Sequence, residues 1–154
     1  MKRLILVLVL LMSQIPAASA EEVAFDYAGF AQKYFNVWTD TQRPEATKED
    51  LEAYLALLVE DVGHQHFPND PDDTRYPDGK ALMREGMTHY LGGHKTYQAK
   101  LLDVVFGEQA VAIKYHAKAT YTNQNGETKS WEHTMLEVLE LEGGKVSVIR
   151  KYSD

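Results

Sequence analysis

The chain has 154 residues, of which 25% are charged and 44% hydrophobic, with a formal charge of −7 and no cysteine. Its excess of acid repels phosphate backbones and anionic lipid headgroups, so neither nucleic acid nor a membrane surface is an expected partner. The missing cysteines exclude disulfides and thiolate metal centres, which leaves stability to packing.

Residues 1–20 read as a secretory signal peptide. Lys2 and Arg3 precede the apolar stretch Leu4 to Met12, and Ala18-Ser19-Ala20 places small residues before a cleavage point after Ala20. The apolar stretch is far short of the roughly 20 residues that span a bilayer. The expectation is an exported protein, periplasmic or secreted, whose domain covers 21–154. Loss of Lys2 and Arg3 would take its formal charge to −9. The remaining length suits one domain with a real core.

From Val23 to Asp40, Tyr27, Phe30, Tyr34, Val37 and Trp38 recur at the spacing of one helix face. Thr41 to Ala46, with Pro44, interrupts that helix. Thr47 then offers an N-cap with Glu49 and Asp50 in the first turn of a second helix, buried through Leu51, Tyr54, Leu55 and Leu58. Val62 to Phe67 is predicted as a short strand, followed by Pro68 and an acidic loop through Asp78. Asp78 is expected to cap a third helix over 79–91, stopped by Gly92-Gly93. Alternating apolar and polar residues predict strands over 95–106, 109–121, 128–141 and 145–152. They are separated by Gly107-Glu108, Asn125-Gly126 and Gly143-Gly144. The gaps are too short for crossover helices, so these strands form an antiparallel meander. Helices gathered ahead of a hairpin-linked sheet imply an α+β domain with its helices on one sheet face, and a strongly bent sheet there encloses a pocket.

His64 and His66 are two apart, so on a strand both imidazoles face the same side, and one in a dry pocket can serve as a general base. Polar rim residues or satisfied buried imidazoles would have the same spacing. On the strand 128–141, Trp131, His133, Met135, Glu137, Leu139 and Leu141 share a face assigned to the cavity, which would bring His133 and Glu137 near His66. The opposite set contains Leu136 and Val138, which leaves the reverse facing open. Tyr34, Trp38, Tyr90, Tyr115 and Trp131, together with His64 and Met135, are the expected ligand-binding lining. It suits a cyclic or aromatic small molecule, neutral or cationic, although aromatics fill any core of this size. Three histidines with a carboxylate could bind zinc, but no third ligand lies at a diagnostic spacing, and no metal or cofactor is assigned. Asp70, Asp72 and Asp73 lack the glycine and distant glutamate of a calcium loop. Lys114, His116, Lys118 and Thr120 form the outer face of their strand, expected to meet solvent or a second copy in a homodimer.

The order helix, helix, short strand, helix and four strands, with Glu60-Asp61-Val62 entering the first strand and Gly144-Lys145-Val146 opening the last, resembles the nuclear transport factor 2-like superfamily. That group includes ketosteroid isomerases, SnoaL-type polyketide cyclases and scytalone dehydratase. The resemblance implies a cone-shaped half barrel of a strongly bent, largely antiparallel sheet, its concave face covered by the three helices. Gln32-Lys33-Tyr34 resembles the isomerase segment bearing an oxyanion-donor tyrosine, which implies that role for Tyr34. His66 falls where those enzymes place a catalytic aspartate, and Glu137 where they place a protonated carboxyl group. The implied function is small-molecule binding with proton transfer, such as isomerisation, dehydration or cyclisation of an apolar carbonyl compound. His66 would be the base, with His133 and Glu137 orienting it or completing the donor set. The alternative is a non-catalytic ligand-binding or assembly module; a metal-dependent hydrolase is the third reading.

Overall fold

A computed structural model describes residues 24–154; the segment expected to be a signal peptide lies outside them. Helix α1 runs Tyr27–Gln42, with the Asp26 carboxylate accepting from the Gly29 amide. Helix α2, Lys48–Leu55, opens on a reciprocal box. The Thr47 hydroxyl accepts from the Asp50 amide while the Asp50 carboxylate accepts from the Thr47 amide, satisfying two amides that a helix start leaves orphaned. Strand β1 is Leu58–His66 and helix α3 is Gly79–Thr88. Strands β2 (His94–Gly107), β3 (Ala110–Thr122), β4 (Thr128–Glu142) and β5 (Lys145–Ser153) complete the chain.

The five strands form one sheet in the order β1-β5-β4-β3-β2. Strand β1 joins β5 in parallel, and every other pair is antiparallel. The sheet is strongly curved and unclosed, giving the expected α+β cone. Helices α1 and α2 lie in its hollow, where Ala31, Tyr34, Phe35, Leu51 and Leu55 meet Val111, Ile113, Leu139 and Ile149. Helix α3 packs on β1. Its first residue, Gly79, comes so close that a Cβ would stand 2.3 Å from the Val62 carbonyl oxygen.

Three local expectations change. Leu58 opens β1 instead of continuing the second helix, which ends at Leu55. Asp78 precedes α3 but makes no side-chain cap bond, and α3 stops at Thr88, three residues before Leu91. The facing of β4 is settled: Met135, Glu137, Leu139 and Leu141 are buried, while Leu136 and Glu140 are exposed.

Candidate functional site

The hollow of the cone holds a cavity of about 850 Å³. Its walls are mostly aromatic and thioether: Trp38, Tyr97, Tyr115 and Trp131 with Met83, Met87 and Met135. Polar side chains gather at one end, namely His64, His66 and Asp70 from β1 and the turn after it, and Lys151 from β5. The turn is tight, because His66 and Asp70 exchange both backbone hydrogen bonds, at 2.7 and 2.8 Å.

Behind Lys151 lies Glu137, fully buried. It sits directly opposite Lys151 in the β4–β5 register, and the ammonium reaches its Oε1 at 2.9 Å. Tyr34 donates to Oε2 at 2.8 Å and Tyr115 to Oε1 at 2.5 Å. With its only proton on Glu137, Tyr34 accepts from the Tyr54 hydroxyl at 3.1 Å, and Tyr115 accepts from the Trp38 indole at 3.1 Å. The Lys151 ammonium also lies 3.7 Å from the centre of the Trp38 ring, a cation–π contact.

These contacts set the protonation states. Burial pushes the Glu137 carboxyl up, but the Lys151 charge and the bonds from Tyr115, Lys151 and Tyr34 outweigh it and hold the group below its ordinary value. Glu137 is therefore a carboxylate. Burial raises the Tyr34 and Tyr115 hydroxyls, and the Glu137 charge adds to that, so both stay protonated. His64 is pushed down to about 4, first by burial and then by the Lys151 charge. His66 is also lowered by burial and Lys151, against the opposing pull of Glu137 and Asp70.

The sequence-derived site divides. His64, His66, Trp38, Tyr115, Trp131 and Met135 line the cavity. Tyr90 stands at its rim, 76% exposed. Glu137 is one layer back and ionised, not the protonated carboxyl group that the isomerase resemblance implied. Tyr34 is also one layer back. It is 1% exposed and its proton is committed to Glu137, so it presents no donor to a ligand. His133 shares the inward face of β4 but lies beyond the end of β5, whose pairing stops at Met135–Ser153. It is half-exposed, its Nδ1 sits 2.9 Å from the Asp154 carbonyl, and it lines no part of the cavity. Arg84 pairs with Glu52 on α2. Among the described residues no three His, Asp or Glu side chains converge as a metal site.

Sequence reasoning missed Lys151, along with His94 and Tyr97 on the same lining. An ammonium carries three protons; one serves Glu137 here, which makes Lys151 the charged donor at the cavity's polar end. Its signal is faint. Counting across the Gly143-Gly144 turn from the Glu142–Lys145 pair places Arg150 opposite Glu137. A bulge between Glu140 and Leu141 shifts the pairing by one and brings in Lys151.

A half-open α+β cone with a lined hollow is the architecture of the nuclear transport factor 2-like superfamily. The chain belongs to the family of the SnoaL-like domain, which matches residues 31–149. No curated protein matches it. Among solved structures it is similar to an NTF2-like protein from Anabaena variabilis, at 18% identity and a TM-score of 0.63 over 88% of this chain and 96% of that one. It is also similar to an LEH-like epoxide hydrolase from M. tuberculosis, at 14% identity and a TM-score of 0.59 over 82% and 84%. A third is a protein of ketosteroid isomerase-like fold from Catenulispora acidiphila in complex with trimethylamine, at 12% identity and a TM-score of 0.58 over 80% and 83%. At these identities the likeness is one of fold.

Proposed function

We propose that this chain is an exported small-molecule-binding protein of the SnoaL-like family that catalyses proton transfer on an apolar carbonyl compound. One observation carries the reading: two imidazoles and an ammonium meet at one end of a cavity walled mostly by aromatic and thioether side chains. A ketone seated with its oxygen on Lys151 would have its neighbouring carbon within reach of β1. His66 takes a proton from that carbon, the electron pair moves onto the oxygen, and a Lys151 N–H stabilises the resulting enolate. The imidazolium then returns the proton at a second carbon. His66 suits the base role better than His64, whose value near 4 makes it the weaker proton acceptor. Lys151 takes the donor role that the resemblance implied for Tyr34. Glu137 fixes the ammonium in place, and Tyr34 and Tyr115 fix Glu137.

Of the structures of similar fold, the one from M. tuberculosis is named as an epoxide hydrolase, which supports an enzymatic reading of the hollow. The test needs no native substrate. Apolar cyclic ketones in deuterium oxide should exchange their α-hydrogens faster with the protein than in buffer, as read by NMR. His66→Ala should lose about 100-fold or more of that acceleration, and Lys151→Met a comparable share. Ketones that bind, by calorimetry, yet exchange no faster than in buffer would make the protein a ligand carrier and not an enzyme.

A further inference from the structure

The proton-transfer scheme uses one end of the cavity and leaves the other unexplained. From Glu137, β4 runs back six residues to Trp131 on the same face, roughly 20 Å of strand between Cα atoms, and the Tyr97 side chain bridges part of that length by reaching back toward Trp38 and Glu137. There the wall is made of His94, Tyr97 and Trp131. His94 stacks on Tyr97 with ring centres 5.5 Å apart and planes 26° from parallel. Trp131 stands edge-on to both, at 6.0 Å from His94 and 6.1 Å from Tyr97. His133 stacks against Trp131 at 5.8 Å, and its bond to the Asp154 carbonyl ties that assembly to the chain's last residue.

His94 is oriented as well as stacked. Its Nδ1 lies 2.9 Å from the Gln42 carbonyl at the end of α1. A carbonyl can only accept, so Nδ1 carries the hydrogen, and in the neutral ring Nε2 is left as an acceptor on the side away from α1. Among the described residues no protein group donates to it. Flat surfaces at right angles bind a flat ring through offset and edge contacts. A fixed acceptor beside them asks that ring for an O–H or N–H. At the opposite end Lys151 and Glu137 cancel in charge, so among the described residues the cavity lining holds no unpaired lysine or arginine for an anionic ligand.

We infer that His94, Tyr97 and Trp131 form a ring-recognition subsite. The ligand is then a flat, uncharged, elongated compound with a carbonyl group at the Lys151 end and a phenol-type O–H or ring N–H at the His94 end. The inference rests on the cavity reading above and specifies its substrate class.

A hydroxynaphthyl methyl ketone and its methyl ether test it by calorimetry on the full-length mature chain. They share ring and carbonyl, and only the first can donate to Nε2. Wild type should bind the hydroxyl compound about tenfold more tightly, the value of one buried hydrogen bond. His94→Phe, which keeps a flat ring and removes the acceptor, should bind both alike at the affinity wild type shows for the ether. Trp131→Ala should weaken both. Equal binding of the two compounds by wild type, or a hydroxyl preference that survives in His94→Phe, would overturn the subsite while leaving the cavity reading intact. Binding of neither compound would count against the cavity as a ligand site, and the subsite would fall with it.

Discussion

Glu137 makes no bond that a shorter or neutral side chain could replace one for one. It accepts from two tyrosines and an ammonium while fully buried. Desolvating such a pair costs several kcal/mol per ion, so it is poor evidence for stability and better evidence for a fixed charge where the cavity needs one. His64 reports on the same desolvation through pH. The unfolded chain takes up a proton on His64 near the ordinary value of 6.5, whereas the folded chain resists until about 4, so stability is lost as pH falls through that window. The loss should approach ~3 kcal/mol at its lower end. Glu137 acts lower down: its folded value lies below 4.5, so the stability it contributes is lost only as pH falls below that point. Urea unfolding between pH 7 and pH 4.5 should therefore show a slope in wild type that is flattened in His64→Gln; identical slopes would assign the effect to other groups. At this scale the sequence was half legible. The two-residue spacing of His64 and His66 gave their common face. The layer in which Tyr34 and Glu137 sit depends on which neighbour captures each proton, and spacing does not encode that.

Elements were more legible than residues. The four long strands were predicted to within two residues at each end, because alternation and glycine turns both mark them; Gly143 and Gly144 have φ of 56° and 78°, as a tight hairpin turn requires. The start of β1 was missed for a physical reason. Leu58 continues the helical spacing of Leu51, Tyr54 and Leu55, and it is buried whether the chain there is helix or strand, so periodicity could not separate the two. Likewise the bulge that selects Lys151 over Arg150 has no marker, since Ser147 at its centre is an ordinary strand residue whose hydroxyl bonds the Glu140 carbonyl at 3.2 Å. Arg150 consequently turns outward to Asp73 and Glu140. The seam between α3 and β1 gives a prediction of its own. In Gly79→Ala the new methyl meets backbone at 2.3 Å, so α3 must move away from β1 and take Met83 and Met87 with it. A loss of about 2 kcal/mol or more is expected in urea unfolding; unchanged stability would show that the helix is only loosely seated.

For the whole molecule, element order was enough to give the cone, because helices placed ahead of a meander have few ways to bury both. The site is another matter. Tyr34 and Glu137 are 103 residues apart in the chain, and their meeting depends on curvature and register summed over four strands. Export and pairing also belong to this scale. We propose that the chain is cleaved after Ala20 and that the outer face of its sheet, where Leu136 and Tyr152 are exposed, joins a second copy. Native mass spectrometry of protein taken from the cell envelope or medium reads both. The expected species is a dimer of chains beginning at Glu21. Chains that retain Met1 would refute export by this leader, and monomers at micromolar concentration would refute the pairing.

The chain contains two tryptophans, and the fold assigns one to each end of the hollow. Trp38 lies under the ammonium and bonds the Tyr115 hydroxyl, while Trp131 belongs to the distant stack. Each indole is thus an intrinsic fluorophore with its own electrostatic surroundings. Variants retaining one at a time would signal, by a change in emission colour or intensity, which portion of the chamber a visiting compound has entered and in what order.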